Sequence, residues 1–550
     1  MQNKAKEILE NARAALAKDM GVEANLPPVV MTVPKDTTHG NFTTNAALVS
    51  SKAFGLPPKA LADKLVEAAN SSGEKLLCFE VAGPGFINVK LLGDAKSSAY
   101  MALLESGDKI GLSEIGRGKR VNVEYVSANP TGPLTVGHGR NAAVGDVISR
   151  LFSAVGYDVT KEYYFNDAGN QMNVLARSVR CRYRQLLGSD EQLEENGYQG
   201  EYIVDIAKEI QKDFGDSLKD TDELKTFKEY AVKATFAMIK DSLKKMRVNH
   251  DVYFNEHSLY DSGRIKQTLD LIAEKGLSYE KDGAVWYKAS QFGAEKDRAL
   301  VKSTGEPTYR LPDIAYHRDK FERGYDRIVD IFGADHIAQY PDVLSCLKAL
   351  GYDVDKVTVA IYQFVTLLSN GEAVKMSTRK ANYVTLDELM DDVGVDAVRY
   401  FFVMRRLGSH LEFDLALAKK QSPDNPVFYI QYAYARIASI FRKAEVDKAE
   451  FSKGGEVKSE LLVDPAEEEL IKHLGTMRET VAKAAELCEP HRLTGYLEKL
   501  AELFHHYYNA APILVEDKDL CRARLSLLLI TQNAIKCGLD ILGITAPEKM

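Results

Sequence analysis

Three groups of residues in this sequence have types and spacings suited to phosphate chemistry. The first is the loop Ser127-Ala128-Asn129-Pro130-Thr131-Gly132-Pro133-Leu134-Thr135-Val136-Gly137-His138-Gly139-Arg140. It follows a strand-like run, Val121 to Val126, in which Val121, Val123 and Tyr125 alternate with polar neighbours. Apolar residues at helical spacing come next, from Ala142 to Val155, and Gly156 ends them. A strand, a Gly/Pro loop and a helix start present unbonded N–H groups and a positive dipole end to a phosphate. Gly137 leaves space for an adenine against that helix start, and His138 is placed to donate to phosphate oxygens. The second group is Val374-Lys375-Met376-Ser377-Thr378-Arg379-Lys380, which follows an apolar strand, Val357 to Leu368, and the turn pair Asn370-Gly371. Thr385-x-x-Glu388 is a capping box for the next helix, so the basic run lies on a loop between ordered elements. The third group is acidic, Glu124 at the end of the first strand and Asp313 in Tyr309-Arg310-Leu311-Pro312-Asp313.

The first two groups resemble, in order and content, the nucleotide motifs of class I aminoacyl-tRNA synthetases. The His-Ile-Gly-His element of that family corresponds to Thr135-Val136-Gly137-His138, and its Lys-Met-Ser-Lys-Ser loop to Lys375-Met376-Ser377-Thr378-Arg379. Thr135 replaces a His and Thr378 a Lys, so one cation must come from Arg379 or Lys380. The chemistry is that of a carboxylate attacking the α-phosphate of ATP. Charge then builds on the phosphoryl oxygens and the leaving pyrophosphate, where Lys375 and Arg379 stabilise it. Two acids in one pocket suit a cationic amino acid, and a guanidinium pairs with carboxylates in a bidentate fork that lysine lacks.

Within the class the resemblance is to the arginyl-tRNA synthetase family, bacterial type, nearly end to end. It is carried by Gly83-Pro84-Gly85-Phe86-Ile87-Asn88, Glu124 to Arg140, Gly197 to Tyr202, Tyr309 to His317, Gly333-Ala334-Asp335-His336, Asp396 to Tyr400 and Gln431-Tyr432-Ala433. It implies ligation of arginine to its tRNA through an arginyl-adenylate. Glu124, Asn129, Tyr309 and Asp313 map onto the arginine pocket, Tyr309 by stacking and Asn129 at the α-amino or carboxylate end. Thr135, His138, Lys375 and Arg379 map onto the catalytic positions. Pro133, Gly137, Gly139, Gly333, Asp335, His336, Met376 and Ser377 complete the ATP site. Mg2+ accompanies ATP, with no carboxylate identifiable as its ligand. Tyr429, Tyr432, Arg436 and Arg522 are the candidate tRNA contacts, since aromatic and Arg side chains stack on unpaired bases.

These residues need a scaffold, and the punctuation of the chain indicates one. The expected fold is α/β, a doubly wound parallel-sheet, Rossmann-like catalytic domain between an N-terminal α+β domain and a C-terminal all-α bundle. The boundaries fall at 1–115, 118–420 with an insertion at about 170–295, and 421–550, the last following Ser422-Pro423-Asp424-Asn425-Pro426. By the resemblance, the first part contacts tRNA and the last binds the anticodon. At 550 residues, 45% hydrophobic and 27% charged, the chain can bury more than one core. No Gly-x-Gly-x-x-Gly fingerprint or Walker lysine loop follows the first strand, which excludes a nicotinamide enzyme and a P-loop ATPase. Six scattered cysteines form no Cys-x-x-Cys pair, so neither a zinc ribbon nor a disulfide framework is indicated. A net charge of −8 argues against indiscriminate coating of nucleic acid. No apolar run approaches the length of a membrane span, and the expectation is a cytoplasmic monomer. Two rival readings are a class I synthetase of other specificity and a non-catalytic tRNA-binding paralogue, the latter motivated by Thr135 and Thr378.

Overall fold

The strand read at Val121 spans Arg120–Glu124 (β1) and lies at the centre of a five-stranded, wholly parallel sheet. The computed structural model describes residues 1–23, 26–34, 40–334, 337, 340–369, 371–373, 384–452 and 457–550. After β1 come helix α1 (Val136–Ala154), β2 (Asp158–Phe165), β3 (Val252–Asn255), helix α2 (Arg310–Glu322), β4 (Arg327–Gly333) and β5 (Val357–Tyr362). The strand order is β5-β4-β1-β2-β3. The chain runs outward from β1 to β3 and then returns to the other side of β1, so the switch point lies between β1 and β4. In open α/β sheets, ligands bind outside the carboxyl ends of the strands at that crevice.

Two sequence expectations need correction. The apolar run from Val357 to Leu368 is not one strand. It breaks at Gln363-Phe364 into β5 and Val365–Ser369, and the latter pairs with Leu411–Asp414 and Glu372–Ala373 in a separate small sheet. The strand β3 lies inside the stretch read as insertion yet pairs with β2 at the edge of the main sheet. Before it in the chain come three helices, Gly169–Leu186, Glu201–Phe214 and Lys225–Lys245, packed on a core that includes Met172, Val179, Tyr183, Ile206 and Phe227. A three-stranded antiparallel sheet over residues 278–301 follows.

Spatial grouping gives two compact units. One comprises residues 111–436, 477–501 and 534–550, and contains the parallel sheet. Arg399, fully buried, ties its distant segments together: its guanidinium donates to Leu542 O and Met246 O, each at 2.9 Å, and to Asp146 of α1 at 2.5 Å. Asp396, one turn earlier, accepts from Thr545, Gln431 and Arg247. The other unit comprises 1–110, 437–476 and 502–533. Its antiparallel strands Phe42–Thr44, Phe86–Leu91 and Leu77–Ala82 pack with helices Ala46–Phe54 and Pro58–Asn70 on Phe54, Leu61, Leu65, Phe79 and Val89. Buried Glu467 in the same unit accepts from Tyr507 at 3.0 Å and Arg524 at 2.8 Å. Tyr507 is thus core there, and Arg524 is half-buried.

Contrary to the reading of apolar runs, the helix Lys518–Leu542 is long and apolar enough to cross a membrane by length and composition. Some 83% of its apolar window is buried within the protein, as in a core helix.

Candidate active site

Parallel register places three acids side by side across the centre of the sheet: Asp330 of β4 opposite Glu124 of β1, and Glu124 opposite Glu162 of β2. All three are buried. Adjacent like charges out of water are costly, so something must neutralise them. Helix α2 does so. Lys320 Nζ bonds Glu124 Oε2 at 2.5 Å and Asp330 Oδ1 at 2.6 Å. Arg323 bonds both oxygens of Glu162, at 2.6 and 2.8 Å. His317 sets Nε2 2.9 Å from Asp330 Oδ2 and Nδ1 2.8 Å from the carbonyl oxygen of Asp313. Both of those partners only accept, so both ring nitrogens carry protons and the ring is an imidazolium. Burial alone would lower its pKa, but Asp330 raises it above the ordinary value. Three cations therefore hold the row of three acids, Arg323 also pairing with Asp319 at 2.8 Å, and the row is held without a ligand.

Asp313, in the first turn of α2, is outside this balance. Among the described residues its carboxylate has no hydrogen-bond or ion-pair partner. Burial pushes its carboxyl up to about 7; His317 offsets this in part, while Glu124, Glu256 and Asp330 add to it. Glu256, just beyond β3, is held by Tyr164 and Asn166, each at 2.8 Å, and its own pKa is raised, chiefly by burial. The sequence reading missed Glu256, and nothing in its local pattern marks it. The reading paired Glu124 with Asp313 as equals. In the structure Glu124 is clamped by Lys320 and by the Ser127 hydroxyl at 2.9 Å, which leaves Asp313 as the acid awaiting a partner. Asn129 lies at the same corner, accepting from Asn166 N at 3.1 Å and donating to Gln171 at 3.0 Å. Tyr309 precedes α2 and is 82% exposed, open to a ligand but not packed on the acids.

The phosphate side is built by the start of α1. Thr135 is its N-cap, in a capping box with His138. Thr135 N donates to His138 Nδ1 at 3.2 Å, which makes Nδ1 an acceptor and leaves Nε2 as the protonated nitrogen. Thr135 thus has a local task, orienting the His that it precedes. The loop before it is held by the insertion: Tyr202 donates to Thr131 O and Thr235 to Pro130 O, both at 2.7 Å. Val126 and Ser127 sit at φ 68° and 43°, a strained state for a β-branched residue. Asn141 supports it, accepting from Val126 N at 2.7 Å and donating to Ile331 O at 3.0 Å across the switch point.

A Cβ on Gly139 would strike Leu386 Cδ1 at 2.5 Å, so that glycine serves packing. One on Gly137 would meet only Thr135 Oγ1 at 3.7 Å, in otherwise open space. Gly137→Ala is expected to hold or slightly raise stability, by less than about 1 kcal/mol. It should raise the KM for ATP on the order of tenfold, or about 1.4 kcal/mol. An unchanged KM in steady-state kinetics would place the base elsewhere.

Lys375, Met376, Ser377 and Arg379, with Asp335 and His336, lie outside the described residues. The segments beside them are ordered around the start of α1. Thr385 bridges Thr135, Leu386 N donates to Leu134 O at 2.8 Å, and the expected Thr385/Glu388 capping box is present. The residues that follow the second motif in sequence, Thr385 and Leu386, are therefore brought to the start of α1, some 250 residues from Thr135 in the chain. Gly333 ends β4, and Pro133 lies in the loop leading to α1. Elsewhere, Arg436 stacks on Tyr432 at 4.6 Å and donates to its hydroxyl at 2.7 Å. Tyr429 is one turn earlier on the same helix, Pro426–Ala444. Arg522 stacks on Phe451 at 4.9 Å. Among the described residues no group of three His, Cys, Asp or Glu side chains is arranged to hold a metal ion.

Three family models match successive parts of the chain. Residues 3–91 match the arginyl tRNA synthetase N-terminal domain, 100–401 the catalytic domain of class I (R) tRNA synthetases, and 430–550 the DALR anticodon binding domain. A curated arginine–tRNA ligase from Desulfotalea psychrophila is 46% identical over 518 residues, 94% of this chain and 94% of its own length. The chain belongs to the arginyl-tRNA synthetase family. A second member of the family, the arginine–tRNA ligase of Oceanobacillus iheyensis, is 43% identical over 553 residues, covering 100% of this chain and 99% of its own. The fold is also that of the family: the solved Thermus thermophilus arginyl-tRNA synthetase superposes with a TM-score of 0.78 at 22% identity, over 99% of this chain and 100% of its own.

Proposed function

We infer that the chain ligates L-arginine to its tRNA at the expense of ATP, through an arginyl-adenylate. The observation that carries the specificity is Asp313, a half-buried carboxylate with no hydrogen-bond or ion-pair partner among the described residues, close to Glu256 and beside acids already held by Lys320, Arg323 and His317. A guanidinium supplies the missing charge and five donors, and a neutral side chain would leave the acid unpaired. Asn129 orients the main-chain end of the amino acid, and Tyr309 closes on the guanidinium plane when substrate is present. His138 donates from Nε2 to the phosphates over the α1 start, and Lys375 and Arg379 take the charge that moves to pyrophosphate. The arginine carboxylate attacks the α-phosphorus in line, and a terminal ribose hydroxyl of the tRNA then takes the acyl group. No protein nucleophile is needed, so catalysis is positioning plus charge stabilisation. Magnesium, carried by the nucleotide, would neutralise phosphate charge. No described acid cluster suits it as a protein ligand set. The Tyr432–Arg436 stack, Tyr429 and Arg522 are proposed to meet unpaired bases of the tRNA.

The test is arginine-dependent exchange of labelled pyrophosphate into ATP, with and without total tRNA, and with lysine and glutamine as controls. Exchange with arginine alone among the three supports the reading. Exchange with another amino acid would reassign the specificity, and silence with tRNA still bound would indicate a non-catalytic paralogue.

A further inference from the structure

Arg140 is the fifth residue of α1, two residues after His138, with no exposed surface. It is an expensive residue in that place. A cation at the positive end of a helix is disfavoured, and burial pushes its guanidinium down to about 10. A carboxylate would repay that cost, but among the described residues its hydrogen-bond acceptors are all backbone carbonyls. Nη1 donates to Gln363 O at 2.5 Å, both terminal nitrogens reach Ser409 O at 3.3 Å, and Nη2 reaches Arg406 O at 3.4 Å. Its Nε is buried with no partner.

The segments it grips share one role. Gln363 marks the break between β5 and Val365–Ser369, and residues 406–409 lead into Leu411–Asp414. Gln363 N also donates to Leu407 O at 3.0 Å, so the two turns are already joined to each other. The strands that leave them pair in parallel, Val365 with Leu411 through to Leu368 with Asp414, and Val365–Ser369 pairs with Glu372–Ala373. Lys375 follows two residues later in sequence. A planar fork of five donors is suited to reaching carbonyls on two turns at once, and a lysine ammonium is a single point.

We propose that Arg140 is a positioning residue that locks the strands leading toward the basic segment onto the N-terminal part of α1, fixing where Ala373, the described residue nearest before that segment, stands relative to His138. This rests on the assignment of ATP to those two motifs. The outcome is a rate effect: the residue touches no reacting atom but sets the alignment of groups that do.

The experiment compares the full chain with Arg140→Lys and Arg140→Gln, by pyrophosphate exchange and by hydrogen–deuterium exchange. In both variants kcat should fall on the order of 100-fold, the cost of displacing reacting groups by about 1 Å. The KM for arginine should stay within about twofold, because the acid pocket is built by other elements. Faster deuterium uptake should be confined to residues 357–373 and 404–414. Unchanged kcat in an active enzyme would overturn the proposal. So would a rise in the KM for arginine together with faster uptake throughout the unit, which would make Arg140 an ordinary core residue. A wild-type chain silent with arginine overturns the functional reading itself, a result distinct from either.

Discussion

Asp313→Asn is expected to lower kcat/KM for arginine on the order of 30- to 4,000-fold while the KM for ATP moves less than about twofold. The range is that for truncating one partner of a buried charge pair, about 2–5 kcal/mol, converted at 1.4 kcal/mol per decade. Asparagine keeps the shape and one acceptor but removes the charge that a guanidinium needs. The same residue gives a pH signature. In the free enzyme its carboxyl is raised to about 7, and arginine binds the ionised form. Affinity is therefore complete above that pH and is lost as pH falls through 7, by about tenfold per unit while the free site takes up a proton that the bound site does not. Titration of arginine binding between pH 5.5 and 8.5 should show this slope in the wild type and a flat profile in Asp313→Asn. Equal loss of arginine and ATP affinity would mean that Asp313 supports the fold.

Lys320→Met is expected to destabilise the enzyme by about 3–5 kcal/mol, because it strips the one ammonium shared by Glu124 and Asp330 and leaves two buried carboxylates facing each other. Against a typical total of about 5–15 kcal/mol this is a large share. The sign of its pH dependence follows. Without Lys320, Asp330 loses the first of the charges that hold its carboxyl well below the ordinary range, and burial then favours its neutral form. The deficit is smallest at low pH, where that carboxyl is protonated in both states, and grows as pH rises. Urea unfolding at pH 5 and pH 8 should show the larger loss at pH 8. Adding Glu124→Gln should recover part of it. Two independent, additive losses would show that the acids do not share the lysine.

The nucleotide side of the site was legible in the sequence because glycine, proline and histidine at a strand-to-helix junction have few other uses, and the junction is local. The Thr385/Glu388 cap was legible for the same reason. The three-acid row was not. Glu124, Glu162 and Asp330 become neighbours only through parallel register, which no local pattern reports. Helix α2 did carry a readable sign: Asp313, His317 and Lys320 repeat at i, i+4 and i+7, a polar stripe that turns inward. Such a stripe reads as a solvent face unless the strands beneath it are known to be acidic. The edge strand β3, four residues long between helices, was too short to distinguish from a loop. The break at Gln363 was hidden by the apolar residues on both sides of it.

The grip of Arg399 and Asp396 on Leu542 and Thr545 bears on the order in which the protein is made. The parallel sheet leaves the ribosome early, its last strand ending at Tyr362. Arg399 then follows, a buried cation whose carbonyl acceptor at Leu542 will not be synthesised for another 143 residues. Until that segment arrives, part of the guanidinium's hydrogen-bonding capacity has no native partner, and the unit cannot close in simple N-to-C sequence. A nascent chain stalled anywhere between those points would leave the packing around Arg399 and α1 unfinished, since its partners Met246 and Asp146 would be present and Leu542 would not.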